Sequence, residues 1–178
     1  MSALLFYIFG CPFAVGIGEK AIDPNLQEAL LEQLGKRRGS LADKDWAQLE
    51  RVKILGRSVK DLNGFQRAVN LRELNLRRNE ISDLSPLSGL TRLELLIVAD
   101  NGIKDISGLR GPVLRGLEHL DLSINQIDDL AALDWEKFEA LTHLDIRYNY
   151  IDLRDPKIKK LIGALQERGV EVLSEPMY

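Results

Sequence analysis

The stretch Leu71-Arg72-Glu73-Leu74-Asn75-Leu76-Arg77-Arg78-Asn79-Glu80-Ile81-Ser82-Asp83-Leu84-Ser85-Pro86-Leu87 decides how this chain folds. Its pattern, L-x-x-L-x-L-x-x-N-x-I, recurs with starts at Leu49, Leu71, Leu93, Leu117 and Leu141, which lie 22, 22, 24 and 24 residues apart. A period of this length is the mark of one supersecondary unit stacked on copies of itself. The copy at Leu93 supplies Leu96, Val98, Asn101, Ile103 and Asp105, and the copy at Leu117 supplies Leu120, Leu122, Asn125, Ile127 and Asp129. Leu141 is followed by Leu144, Ile146, Asn149 and Ile151, whereas Leu49 opens a degenerate copy with Arg57 in the asparagine position.

Alternate apolar residues such as Leu74 and Leu76 predict a short strand with one buried face, its intervening residues pointing outward. Each copy therefore adds one parallel strand. The recurring amide offers two donors and an acceptor, enough to satisfy backbone groups exposed where the coil turns, so Asn79, Asn101, Asn125 and Asn149 are expected to stack as a buried ladder. Four residues beyond the asparagine position, Asp61, Asp83, Asp105 and Asp129 are placed to cap the next backbone turn. Both sets read as scaffold.

This pattern resembles the leucine-rich repeat family, and the 22-residue copy with D-L-S-P-L is similar to its short bacterial, internalin-like subclass; the likeness covers residues 49–153. Upstream, Ile22 to Leu30, Leu34-Gly35-Lys36 and Leu41 to Asp45 are similar to the helical cap that precedes such repeats in exported bacterial proteins. Leu26, Ala29, Leu30 and Leu34 fall at helical spacing and can cover the first strand, whose open edge would otherwise invite aggregation. Trp46 and Arg57 depart from the family pattern and leave the geometry of the first copy open. Downstream, Asp155-Pro156 starts a helix with Ile158, Leu161, Ile162 and Leu165 on one face; Gly169 stops it, and Val170 to Leu173 reads as a closing strand. The expectation is an α/β fold: a right-handed leucine-rich repeat solenoid of about five parallel strands on the concave face, with a helical N-terminal cap over 19–48 and a helix-strand cap over 154–178. The two extra residues of the longer copies, in Gly111-Pro112-Val113 and in Asp134 to Phe138, belong on the convex side, with Trp135 and Phe138 in the core.

Residues 1–18 differ from the rest. Ala3 to Phe9 is unbroken apolar sequence, no acid or base follows until Glu19, and Ala14-Val15-Gly16 puts small groups where a signal peptidase cuts, although no Lys or Arg stands near Met1. An exported chain cut near Gly16, secreted or held at the cell envelope, is one expectation; a retained apolar strand of a cytoplasmic protein is the other. Ile8-Phe9-Gly10-Cys11 faintly resembles a bacterial lipoprotein processing site, with Phe9 where a small residue is usual. Gly16-Ile17-Gly18-Glu19-Lys20-Ala21 loosely matches a dinucleotide fingerprint, but Asp23-Pro24 breaks the long helix that motif requires.

The 178 residues carry 24 Lys and Arg against 27 Asp and Glu, a net charge of −3, with 45% hydrophobic and 29% charged residues. Such a chain is long enough to bury roughly 70% of its unfolded surface in one domain. It has no apolar run near the ~20 residues of a membrane helix and no basic field to hold nucleic acid. A single cysteine, Cys11, excludes an intramolecular disulfide and a cysteine zinc knuckle. There is no serine elbow, phosphate loop or carboxylate pair at a defined acid/base separation. Nothing calls for a cofactor or an enzyme.

Function must then lie on the outward residues, read as a grid. The third positions are Arg51, Glu73, Leu95, His119 and His143; the fifth are Lys53, Asn75, Ile97, Asp121 and Asp145. The seventh are Leu55, Arg77, Ala99, Ser123 and Arg147, and the eighth Gly56, Arg78, Asp100, Ile124 and Tyr148. The first strands are mainly basic, the central one is apolar through Leu95, Ile97 and Ala99, and the last carry histidine, aspartate and an aromatic. This predicts a monomeric protein-binding module, with Arg77 and Arg78 on one side and Asp121 and Asp145 on the other orienting a protein partner. A structural or envelope-assembly role is the alternative, and the chain's own N-terminal segment could cover the apolar centre. The paired motifs His119-Leu120-Asp121 and His143-Leu144-Asp145 place two imidazoles about 5 Å apart with carboxylates beside them, a donor set that suits zinc in principle and makes a His/Asp metal-binding surface a further alternative, although parallel outward vectors do not converge as ligands must.

Overall fold

The computed structural model describes residues 21–110 and 115–175. The leader expected over residues 1–18 and the Gly111-Pro112-Val113 insertion lie outside them. Helix α1 spans Pro24–Gln33: Asp23 accepts from Asn25 N at 2.8 Å and Leu26 N at 3.2 Å, and Pro24 occupies the first turn, where no N–H is needed. The second Asp23 oxygen accepts from Lys60 N at 2.9 Å, so one carboxylate ties the cap to the first repeat. A short helix α2, Asp43–Ala47, follows. Buried Asp45 reaches back to Ala42 N at 2.9 Å and meets Lys36 Nζ at 2.6 Å; the Lys36 hydrogen bond, then that from Ala42, holds its carboxyl below the usual carboxylate range.

The strands β1 (Arg51–Lys53), β2 (Glu73–Asn75), β3 (Leu95–Ile97), β4 (His119–Asp121), β5 (His143–Asp145) and β6 (Glu171–Leu173) form a parallel sheet in chain order. Five come from the repeats and the sixth is the expected closing strand, reached through α3, Pro156–Glu167, which Asp155 caps through Lys157 N at 2.8 Å. The register keeps equivalent residues abreast: Arg51, Glu73, Leu95, His119, His143 and Glu171 in one row, Lys53, Asn75, Ile97, Asp121, Asp145 and Leu173 in the next. Between the rows Val52, Leu74, Leu96, Leu120 and Leu144 point into one continuous core. On the convex side the chain turns through short 3-10 segments, among them Ser85–Leu87, Ser107–Leu109 and Trp135–Lys137. Asp83 and Asp105 cap two of these turns, accepting from Ser85 N at 2.8 Å and Ser107 N at 2.7 Å, and Asp61 and Asp129 do the same for Asn63 and Ala131. Trp135 and Phe138 are buried.

The asparagine ladder is present and runs between coils. Asn125 Oδ1 accepts from Ile103 N at 3.1 Å, and its Nδ2 donates to Val98 O at 3.0 Å and Leu122 O at 2.9 Å. Asn149 repeats this with Ile127 N, Leu122 O and Ile146 O, while Asn101 uses Ile81 N, Leu76 O and Val98 O. Arg57 ends the ladder. Its backbone N–H donates to Asn79 Oδ1 at 3.1 Å, and its guanidinium turns out to Glu32 of α1 at 2.6 Å. Trp46, fully buried, meets Phe65 edge to face at 5.6 Å, and fits because residue 64 is glycine: with φ at 109°, a Cβ there would stand 2.5 Å from the indole.

Asn125→Ala removes an acceptor and two donors from a site 1% exposed. Each buried group left unpaired costs about 1–3 kcal/mol, so urea denaturation should show a loss of at least ~3 kcal/mol, whereas a loss under ~1 kcal/mol would show that the ladder is not a main support of the fold.

Candidate functional site

The concave sheet face carries the outward grid. Arg51, Lys53 and His143 are exposed; Glu73, Asn75, Leu95, Ile97, His119 and Asp121 are half-buried, and so is Arg147 beyond β5. Strict alternation ends with each strand, and this corrects one expectation: Ala99 is 1% exposed and belongs to the floor beside buried Ser123, so the apolar centre is Leu95 and Ile97 alone. After the strand the backbone bends inward, with Ala99 O receiving Arg78 N at 3.0 Å and Asn101 Nδ2 at 3.2 Å.

Most of the charges expected to face a partner are engaged within the sheet. Arg51 meets Glu73 at 3.2 Å, Arg78 meets Asp100 at 3.3 Å, and His143 meets Glu171 at 3.0 Å. Asp145 is buried and clasped by Arg147, whose Nε and Nη2 reach its carboxylate at 3.0 and 2.7 Å; that carboxylate raises the guanidinium's basicity further. Arg78 and Asp145 are thus neutralised from within, and the orienting field reduces to the other two charges, Arg77 and Asp121.

His119 and His143 stack with ring centres 5.3 Å apart and planes 29° from parallel. His143 Nδ1 lies 2.8 Å from the Thr142 hydroxyl oxygen. Both nitrogens of His143 are therefore occupied by protein, and among the described residues no group of three or more His, Cys, Asp or Glu is arranged to hold a metal ion.

The rim beyond the strands holds a column of left-handed residues. Gly56 has φ 62°, and Arg78, Asp100, Ile124 and Tyr148 follow at 60°, 58°, 54° and 56°. Glycine, asparagine and aspartate tolerate this region; a β-branched residue is strained in it. Ile124 is held there by the ladder on both sides, since its N–H donates to Arg147 O at 2.9 Å and Asn125 is locked.

Repeat spacing left several face residues unseen. Glu171, Leu173 and Glu175 arrive from the closing strand, where Leu173 is 38% exposed and Glu175 accepts from Tyr148 Oη at 3.2 Å. Gln33 of α1 covers the open edge of β1, donating to Arg51 O at 2.5 Å and accepting from Lys53 N at 3.3 Å. The helical spacing of Leu26, Ala29 and Leu30 fixes α1's buried face but says nothing about which polar neighbour meets the strand edge. Beside Gln33 a recess of about 440 Å³ opens between α1 and β1, lined by Glu32, Lys53, Leu55 and Arg57.

Residues 21–149 match the family of the leucine-rich repeat domain of endo-beta-N-acetylglucosaminidase EndoS. The chain belongs to this leucine-rich repeat family. Its solenoid is similar to that of an internalin, InlF, of Listeria monocytogenes, with a TM-score of 0.68 and 22% identity over 86% of this chain and 51% of that one. Listeria monocytogenes internalin C2 aligns with a TM-score of 0.61 and 21% identity, over 86% of this chain and 75% of the other. A Leptospira interrogans leucine-rich repeat protein aligns at 0.61 and 22%, over 77% and 34%. The chain thus spans about half of the InlF chain. Comparison with curated proteins finds no sequence match. The chain is thus a leucine-rich repeat protein whose fold is internalin-like. Among the described residues, no helix is long and apolar enough to cross a membrane.

Replacing Ile124 by asparagine keeps the backbone geometry and relieves the left-handed strain, roughly 1–2 kcal/mol for an ordinary residue. Ile124→Asn should raise the urea midpoint by the equivalent of about 1 kcal/mol after the lost packing of a half-buried side chain; a lower midpoint would show that isoleucine is there for stability.

Proposed function

We propose that this chain is a non-enzymatic protein-binding module that seats its partner on the concave face. The observation that carries this reading is the pair Leu95 and Ile97: two large apolar side chains standing on the outer side of the third of six strands, flanked on both sides by polar and ionised residues. Apolar groups left on a solvated face and rimmed by polar ones mark interfaces, and a central apolar anchor inside a polar rim is how binding energy is concentrated. The internal pairing of Arg51, Glu73, Arg78 and Asp145 supports the same reading, because it lowers the charge that must be desolvated when a partner lands. Tyr148, 41% exposed at the rim, adds an aromatic at the C-terminal side. Five strand steps at ~4.8 Å span about 24 Å, which suits an interface of roughly 800 Å² per partner.

An extracellular or cell-envelope setting accompanies this proposal. It rests on the apolar leader of residues 1–18 and on the likeness of the cap sequence to those of exported proteins. Mass spectrometry of the protein from its own host should show the chain beginning near Ile17; a folded cytoplasmic protein that still begins at Met1 would refute export.

The decisive variant is Leu95→Asp with Ile97→Asp. Both side chains lie outside the continuous core, so the far-UV spectrum should be unchanged, while affinity for a partner retained by the parent protein should fall at least ~30-fold, equivalent to about 2 kcal/mol for a central anchor. Undiminished binding by the folded double variant would remove the concave face as the site.

A further inference from the structure

One row of the sheet carries a distinct order of charged and apolar side chains. Lys53, Asn75, Ile97 and Asp121 stand abreast on β1 to β4. Arg77 follows Asn75 by two residues and is exposed. Among the described residues, neither the Lys53 ammonium nor the Arg77 guanidinium has an ion-pair or hydrogen-bond partner, in contrast to the paired Arg51 and Arg78. At the other end, the Asp121 carboxylate is met, among the described residues, by Ser123, from its N–H at 2.9 Å and its hydroxyl at 2.6 Å, both neutral donors. Uncompensated positive charge, an apolar centre and uncompensated negative charge therefore follow one another along a line.

Resting on the concave-face reading above, we infer that the occupant is an extended polypeptide segment laid across the strands, with an apolar side chain on Ile97 flanked by an acidic group toward Lys53 and Arg77 and a basic group toward Asp121. The distances match this occupant. Lys53 to Asp121 is three strand steps, about 14 Å at ~4.8 Å each. An extended chain covers about 13 Å in four residues and turns residues i, i+2 and i+4 to the same side. The recognised pattern is therefore an apolar residue with opposite charges two positions away on either side, in whichever chain direction places the acid over β1 and β2. On an α-helix, which rises only 1.5 Å per residue, residues so spaced would lie within about 6 Å and i+2 would turn to another face, so this pattern of spacing reaches both ends of the row only from an extended chain. The opposed charges select orientation, because a segment laid the wrong way round faces like charge at both ends.

The test selects short random peptides displayed on phage, at near-neutral pH, against the full chain, the Lys53→Glu/Arg77→Glu variant and Ile97→Asp, each checked for folding by circular dichroism. Where Ile97→Asp does not fold, Ile97→Asn takes its place. Peptides whose affinity falls at least tenfold on the position-97 variant should carry the apolar residue with opposite charges two positions to each side. On the charge-reversed variant both flanking positions should become basic. Position-97-dependent peptides with no such charges, or the same charges selected by the reversed variant, overturn the bipolar segment and leave concave-face binding standing. Peptides that bind the position-97 variant as tightly as the parent, or a selection that returns none, overturn both.

Discussion

Each asparagine of the ladder is bound to two coils at once, and the rest of the structure depends on that sharing. Leu122 O accepts from both Asn125 and Asn149, and Val98 O from both Asn101 and Asn125, so adjacent coils cannot slide without stranding a buried carbonyl. Strands of three residues offer few backbone pairs, and their buried face forbids a one-residue slip but not a slip of two. The ladder supplies the missing constraint from the side. A left-handed residue precedes each asparagine, and its side chain projects from the rim.

That dependence explains where the solenoid needs different chemistry at its first coil. Arg57 cannot carry the ladder on, and Asn79 closes it by accepting from both Arg57 N and Val59 N. The cap then takes over the satisfaction of backbone: Asp23 holds Lys60 N, Asn25 Nδ2 donates to Ser58 O, and Gln33 answers the open edge of β1. Polar side chains on α1 do for the first strand what a further repeat would do. The apolar face of α1, Leu26, Ala29 and Leu30, covers the core end, and its polar side settles the backbone.

The same logic decides what was legible in the sequence. Positions that recur, the strand leucines, the asparagines and the turn aspartates, are dictated by one geometry repeated, so periodicity alone located them and the parallel sheet they build. Trp46 was not legible in this way, because its fit depends on the glycine at position 64, a contact between cap and first repeat that no period records. The outward grid was legible as far as β-alternation held. It failed at Ala99, where the chain has left the strand and faces the floor, and it could not anticipate that Asp145 would be taken by Arg147 two residues on. Side-chain pairing on a surface depends on rotamers and neighbours, which spacing does not encode.

A face that the scaffold does not determine is one the partner can. Leu95 and Leu96 are adjacent, yet the first lies half-buried outside the continuous core while the second is at zero exposure within it. The solenoid thus divides its sequence into positions fixed by stacking and positions free of it. Among the free ones, beside the exposed Leu55, Tyr148 and Leu173, composition departs from what solvation alone would select at the apolar pair on β3 and at the isoleucine held at φ 54°. Water favours neither, and a strained β-branched residue lowers stability wherever asparagine or glycine would serve. In the row of Lys53, Ile97 and Asp121 the unbalanced charges add a further departure, since ions without an ion-pair partner among the described residues do nothing to hold the coils together. Residues that the fold neither requires nor prefers, gathered on one side of one sheet, are what supports the proposed concave-face site.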